Sequence, residues 1–141
     1  MKKRKNIEKF ENIKEIIYHS ATVYSDNIAF STKIKNSGNV EYINHTYSDL
    51  LENINSFGTA LYKYGLQNKR VAVVGHNSYE WAVAHLSNLL GGIVSVPLDK
   101  GLQLGELESS LIRSRVQAIV FDEKLKDVIK EIKKNKKRKN Y

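Results

Sequence analysis

The sequence has no cysteine, so a disulfide framework, a thiolate metal site and a cysteine nucleophile are excluded, and a reducing, cytoplasmic setting is the expectation. Long hydrophobic runs are also missing. "MKKRKNIEKFENI" opens on cations with no apolar stretch behind them, so neither a targeting segment nor a membrane span is expected. Internal repeats are absent, and the four histidines, His19, His45, His76 and His85, lack the spacing of a zinc site. No serine lies in a nucleophile-elbow pattern.

The 141 residues fit one domain, and the net charge of +8 is unevenly placed. Residues 2–5 hold four cations and residues 133–139 hold six, which leaves 13 Lys and Arg in residues 6–132 against all 15 Asp and Glu, a body of −2. A nucleic-acid binder would carry its basic face within folded elements, so no nucleic-acid partner is expected and the basic ends read as solvated flanks. Seven tyrosines from Tyr18 to Tyr79 are not interleaved with the lysines, as base stacking on a single strand would require, and suit core edges and interfaces better. Residues 1–6 are expected to be a basic disordered start, 7–132 the folded part and 133–141 a basic tail that frays.

Within the body, Ile7, Phe10, Ile13, Ile16, Ile17 and Val23 recur at helical spacing and predict a helix from Ile7 to about Tyr24. "IAFSTKI" at 28–34 and "VEYINHT" at 40–46 flank "KNSGN" and predict a hairpin in which Gly38 supplies a positive φ. Thr46 with Asp49 three residues on predicts a capped helix start, and Gly65 its left-handed end. "RVAVVG" lacks alternation, as a strand covered on both faces should. Asn77 with Glu80 repeats the capping pattern for a helix carrying Trp81, Val83, Ala84, Leu86, Leu89 and Leu90. The strand "GIVSVPL", limited by Pro97, a helix from about Leu104 to Arg115, the strand "AIVF" at 118–121 and a helix from about Lys124 follow. Strands at 71, 93 and 118 separated by helices imply parallel pairing through right-handed crossovers. The fold class is therefore α/β, a partial parallel sheet with flanking helices plus a small β-hairpin.

The junction "VVGHNSYEW" invites a phosphate-loop reading, yet Gly75 is its only glycine and no lysine lies between Arg70 and Lys100, so neither a dinucleotide fingerprint nor a Walker loop is present. Asn77 as a simple helix cap is the better reading. His76, after a strand end, is the one histidine placed where α/β sites form, although a satisfied or solvent-facing imidazole is the better reading than a catalytic one. Glu106 and Glu108 point to different sides of their helix and form no acid/base pair. Asp99 and Lys100 read as a turn after Pro97.

From Thr46 to Lys124 the motif order resembles the amino-terminal part of the adenylate-forming enzymes, closest to the AMP-forming long-chain fatty-acid CoA ligases. Thr46-Tyr47-Ser48-Asp49-Leu50 matches that family's "TYxEL" box with Asp49 in place of Glu, and Asn77-Ser78-Tyr79-Glu80-Trp81 matches its "N-x-x-E-W" helix start. Leu90 to Asp99 matches "KAGAVVVPLD" with Gly91 in place of the frequent Ala. The resemblance covers residues 10–132 and implies a two-step ligase using ATP, Mg and CoA. The family's phosphate loop ending in "PKG", its aromatic-Thr-Glu box, ribose Asp, hinge and late catalytic Lys are not in this sequence. No catalytic, cofactor-binding or metal residue carries over. The resemblance thus implies an amino-terminal portion of an acyl-CoA synthetase, cut by truncation or an interrupted frame and inactive alone. The alternative is an interaction module, stand-alone or half of a split enzyme, that docks on the remainder of the synthetase or on a full-length homologue. A basic-tailed binder of nucleic acid or anionic membrane is a third reading.

Overall fold

The computed structural model describes residues 9–36 and 38–139, so the disordered start expected at 1–6 lies outside the described residues. The first helix, α1, spans Ile13–Val23, later than the expected start at Ile7, because the Asn12 side chain accepts from the Glu15 amide at 3.0 Å and caps the helix there. The hairpin strands β1 (Ile28–Asn36) and β2 (Asn39–Thr46) pair antiparallel and reach slightly further into the turn than the sequence pattern indicates. Gly38 holds the expected positive φ, at 92°.

Helix α2 (Tyr47–Lys63) starts with the expected capping box. Asp49 N donates to Thr46 Oγ1 at 3.1 Å while Thr46 N donates to Asp49 Oδ2 at 2.8 Å. Those donors, the Thr46 backbone first, hold the Asp49 carboxyl below the usual carboxylate range. The helix ends at Gly65, whose φ of 70° lets Leu66 N return to Leu61 O at 3.1 Å.

Three parallel strands follow, β3 (Arg70–Val74), β4 (Val94–Leu98) and β5 (Ala118–Phe121), in the order β4-β3-β5. Helix α3 (Tyr79–Leu90) connects β3 to β4, and α4 (Leu104–Arg113) carries the chain back across β3 to β5. Right-handed crossovers running in opposite directions put these helices on opposite faces. Accordingly, Ala72 and Val74 pack with Leu107 and Leu111 of α4, whereas Val71 packs with Leu61 of α2 and with Ile93. Val71 to Val74 are 0–1% exposed, the double coverage that an unalternating apolar strand announces. A single 3₁₀ turn, Glu123–Leu125, leads into α5 (Lys126–Lys139), which adds Ile129 and Ile132 to the Ala72 side and carries the backbone through most of the lysine-rich run.

Two expected boundaries shift for local reasons. Ser78, rather than Asn77, caps α3, its hydroxyl accepting from Trp81 N at 3.2 Å. Helix α4 stops at Arg113 instead of Arg115, because Arg115 itself takes the left-handed conformation, φ 53°, in the place where glycine usually marks a helix end. Among the described residues no helix is long and apolar enough to cross a membrane.

Candidate functional site

The chain leaves β3 toward α3 on one face of the sheet and leaves β5 toward α5 on the other. A crevice therefore opens between the carboxyl ends of β3 and β5, the topological position at which open α/β sheets bind ligands. A cleft of about 510 Å³ lies there, lined by Gly75, His76, Ser78, Glu80 and Trp81 from the β3 side and by Phe121, Asp122 and Glu123 from the β5 side.

Its polar centre is a pair distant in sequence. His76 Nδ1 and Asp122 Oδ2 are 2.6 Å apart, with side chains 42% and 26% exposed. The register Val74↔Phe121 makes both residues the continuation of neighbouring strands, and Asp122 N donates to Val74 O at 3.0 Å. Asp122 Oδ1 accepts from Lys124 N at 3.0 Å, capping the 3₁₀ turn. That amide first, then His76, holds the Asp122 carboxyl below its ordinary range.

What the cleft does not offer is a phosphate cradle. Its lining brings the carboxylates of Glu80, Asp122 and Glu123 and no lysine or arginine, which disfavours a triphosphate electrostatically. No group of three His, Cys, Asp or Glu among the described residues could hold a metal ion. The ATP, Mg and CoA implied by the family resemblance thus find no fitting donor set in this cleft.

The remaining sequence candidates separate. Asp99 closes a turn, its Oδ1 accepting from Gly101 N at 2.7 Å, and Lys100 joins it in a neighbouring cleft between the ends of β3 and β4. Glu106 caps α4 by accepting from Gln103 N at 3.1 Å, while Glu108 is buried and receives Asn135 Nδ2 at 3.4 Å, so the two point apart as expected. His19 stands between the rings of Phe10 and Tyr24, and His45 stacks on Tyr79 at 3.6 Å with an interplanar angle of 2°. His85 stacks on Trp81 and meets Ser95 Oγ at 2.8 Å. Of the seven tyrosines singled out, Tyr79 alone is buried. Asp122 is the site residue that sequence reasoning missed. The signal available was that it, like His76, comes just after a predicted parallel strand.

The AMP-binding enzyme family model matches residues 17–141. The medium-chain acyl-CoA ligase ACSF2, mitochondrial, of Bos taurus is 31% identical over 87 residues, which cover 61% of this chain and 14% of that protein. Its Homo sapiens counterpart is 30% identical over 98 residues, 65% of this chain and 16% of that protein. The chain therefore spans about one seventh of the curated relatives it matches. Among solved structures, an anthranilate CoA ligase in complex with anthranoyl-AMP superimposes with a TM-score of 0.76 at 19% identity, over 92% of this chain and 24% of that one. A benzoate CoA ligase from Burkholderia xenovorans LB400 gives 0.75 at 21% identity, over 89% and 24%. At these identities the likeness is one of fold.

Proposed function

We propose, because the chain belongs to the family of AMP-binding enzymes, that it is the amino-terminal portion of an AMP-forming acyl-CoA ligase acting on fatty acids. In the parent reaction a carboxylate attacks ATP to give an acyl-adenylate and pyrophosphate, and the CoA thiol then displaces AMP. The contribution of this chain is scaffold. The β3–α3–β4 unit and the His76–Asp122 pair fix the loops at one end of the sheet, and the groups that hold the nucleotide belong to sequence outside these 141 residues. The observation that carries this reading is coverage: the family match takes in residues 17–141, yet the aligned part is 14% of a curated relative. The acidic lining of the β3/β5 cleft supports it, since adenylyl transfer depends on positioned donors and cations. The compartment proposed is the cytoplasm, from the lack of cysteine, although the curated relatives are named mitochondrial.

The test is ATP–pyrophosphate exchange by the purified chain over a series of fatty acids. Exchange is expected to stay at the no-enzyme background for every acid. Exchange above background that depends on the added acid contradicts the assignment as scaffold.

A further inference from the structure

We infer that the solvent face of α5, extended by Arg115, binds the phosphate backbone of a nucleic-acid duplex without reading its sequence. The inference goes beyond the ligase role and does not depend on it.

The expectation against a nucleic-acid partner assumed that the basic run lies outside the folded elements. The structure places that run on one of them. Helix α5 carries eight cations against the two acids Asp127 and Glu131, and no acid falls among residues 133–139. Ile129 and Ile132, 9% and 8% exposed, anchor the helix on the Ala72 side of the sheet, with Val128 packed against the same cluster. Lys126, Lys130, Lys133 and Lys134 are all exposed. They recur at steps of three and four residues, so they share a face turned away from Ile129 and Ile132, one helical turn or about 5.4 Å apart.

The first half of the helix neutralises itself. Lys126 Nζ lies 3.7 Å from Glu123 Oε1, and Lys130 Nζ lies 3.6 Å from Asp127 Oδ1. The second half has no such balance, and cations three and four residues apart on a helix repel one another until a polyanion relieves them. The neighbouring element adds to this charge. Arg115, in the left-handed conformation after α4, lines the same groove as Lys133. The carboxylate in that groove belongs to Glu108, which is 8% exposed and receives Asn135 Nδ2 at 3.4 Å, so its charge sits beneath α5 while those of Arg115 and Lys133 stand at the exposed surface.

The shape of this charge selects the partner. A duplex carries one negative charge per about 1.7 Å of its axis and holds condensed counterions, which a row of ammonium groups releases. Such a linear polyanion can lie along α5 alone. An anionic bilayer recruits a helix through an apolar face laid into it, and α5 has that face in the core. A flat bilayer would also bring up the body of the chain, −2 over residues 6–132, against like charge. Asn135 is the one amide side chain on α5 and is bonded to Glu108, so the contacts left are to phosphate, which position a duplex without specifying its sequence.

The test titrates the full chain into a fluorescent DNA duplex of about 20 base pairs and reads anisotropy between about 50 and 200 mM salt. A dissociation constant of about 10⁻⁵ M is expected at physiological salt, with the logarithm of affinity falling against that of salt by about 0.9 for each phosphate neutralised. Lys133→Ala with Lys134→Ala should reduce that slope by about 1.8, and alanine favours helix, so α5 itself is kept. Arg115→Gly, which suits the left-handed backbone, should reduce it by about 0.9. Lys2→Ala with Lys3→Ala removes the same charge as the first pair and should leave the slope unchanged. Absence of binding at about 50 mM salt, a slope that Arg115→Gly does not move, or an equal loss from the Lys2 and Lys3 pair overturns the inference. So does tighter binding to vesicles of equal parts phosphatidylglycerol and phosphatidylcholine than to the duplex, which would assign the surface to lipid.

Discussion

Gly75 follows β3 directly, and a Cβ built on it would lie 3.2 Å from the Asp122 Cβ and 3.5 Å from the Asp122 amide. Asp122 cannot give way freely, because its amide is bonded to Val74, and its carboxylate to Lys124 N and His76. Gly75→Ala is therefore expected to destabilise the chain by roughly 1–3 kcal/mol, the usual cost of overpacking. A urea midpoint equal to that of the parent chain would refute this. The glycine that suggests a nucleotide loop in the sequence is thus explained by the close approach of a neighbouring strand end. His85 gives a pH prediction at the same scale. Burial holds its imidazole below the ordinary range, and Asn88 Nδ2 donates to Ser95 Oγ at 3.1 Å, so the Ser95 hydroxyl donates to an unprotonated Nδ1. The unfolded chain protonates this histidine near pH 6.5, above the folded value. The contribution is accordingly complete above about pH 6.5 and is lost as the pH falls through the folded value. Urea midpoints should drop between pH 8 and pH 5.5, and His85→Gln should shrink that drop; an undiminished drop in the variant would place the effect elsewhere.

The hairpin illustrates how an element is held by residues outside it. Phe30 of β1 and His45 of β2 both meet the ring of Tyr79, at 5.6 Å and 3.6 Å, and Tyr79 is the first residue of α3. The ring is 7% exposed, and its hydroxyl accepts from Asn53 Nδ2 at 3.0 Å, which ties α2 to the same point. Tyr79→Ala should cost about 3–5 kcal/mol, as loss of a buried aromatic does, whereas Tyr79→Phe, losing one hydrogen bond, should cost about 1 kcal/mol. Chemical denaturation separates the two, and similar losses in both variants would show that the hydroxyl, not the ring, is what matters. Most of this element was legible in sequence, since the strands, the Gly38 turn and the Thr46–Asp49 box are local patterns. The start of α3 was less so. Asn77 before Glu80 and Ser78 before Trp81 offer the same cap spacing, and the backbone path after Gly75 selects the second. The end of α4 carried no signal, because an arginine occupies its left-handed position.

For the molecule as a whole, β4 and β5 are both edge strands, and Pro97 takes one outward donor from the β4 edge. Pro97→Val would restore the outward amide on β4 and is expected to add concentration-dependent self-association through that strand. Sedimentation at rising concentration reads it, and an unchanged mass would show that the polar flank at Ser95 blunts β4 by itself. Ten of the cations behind the net charge of +8 lie at residues 2–5 and 133–139, and one of them, Lys133, lines the groove beside β5.

The sequence by itself determined the order of elements, the parallel character of the strands, most of the caps and the family. Each of these is written within one turn of helix, in the alternation of one strand or in a run of adjacent motif residues. The tertiary structure alone decided that His76 meets Asp122 across 46 residues, that their cleft is acidic, and that β4 and β5 are the two edges of the sheet with β3 between them. The physical reason is that strand order and register are set by which crossover passes over which face, and neighbouring residues along the chain carry no record of that choice.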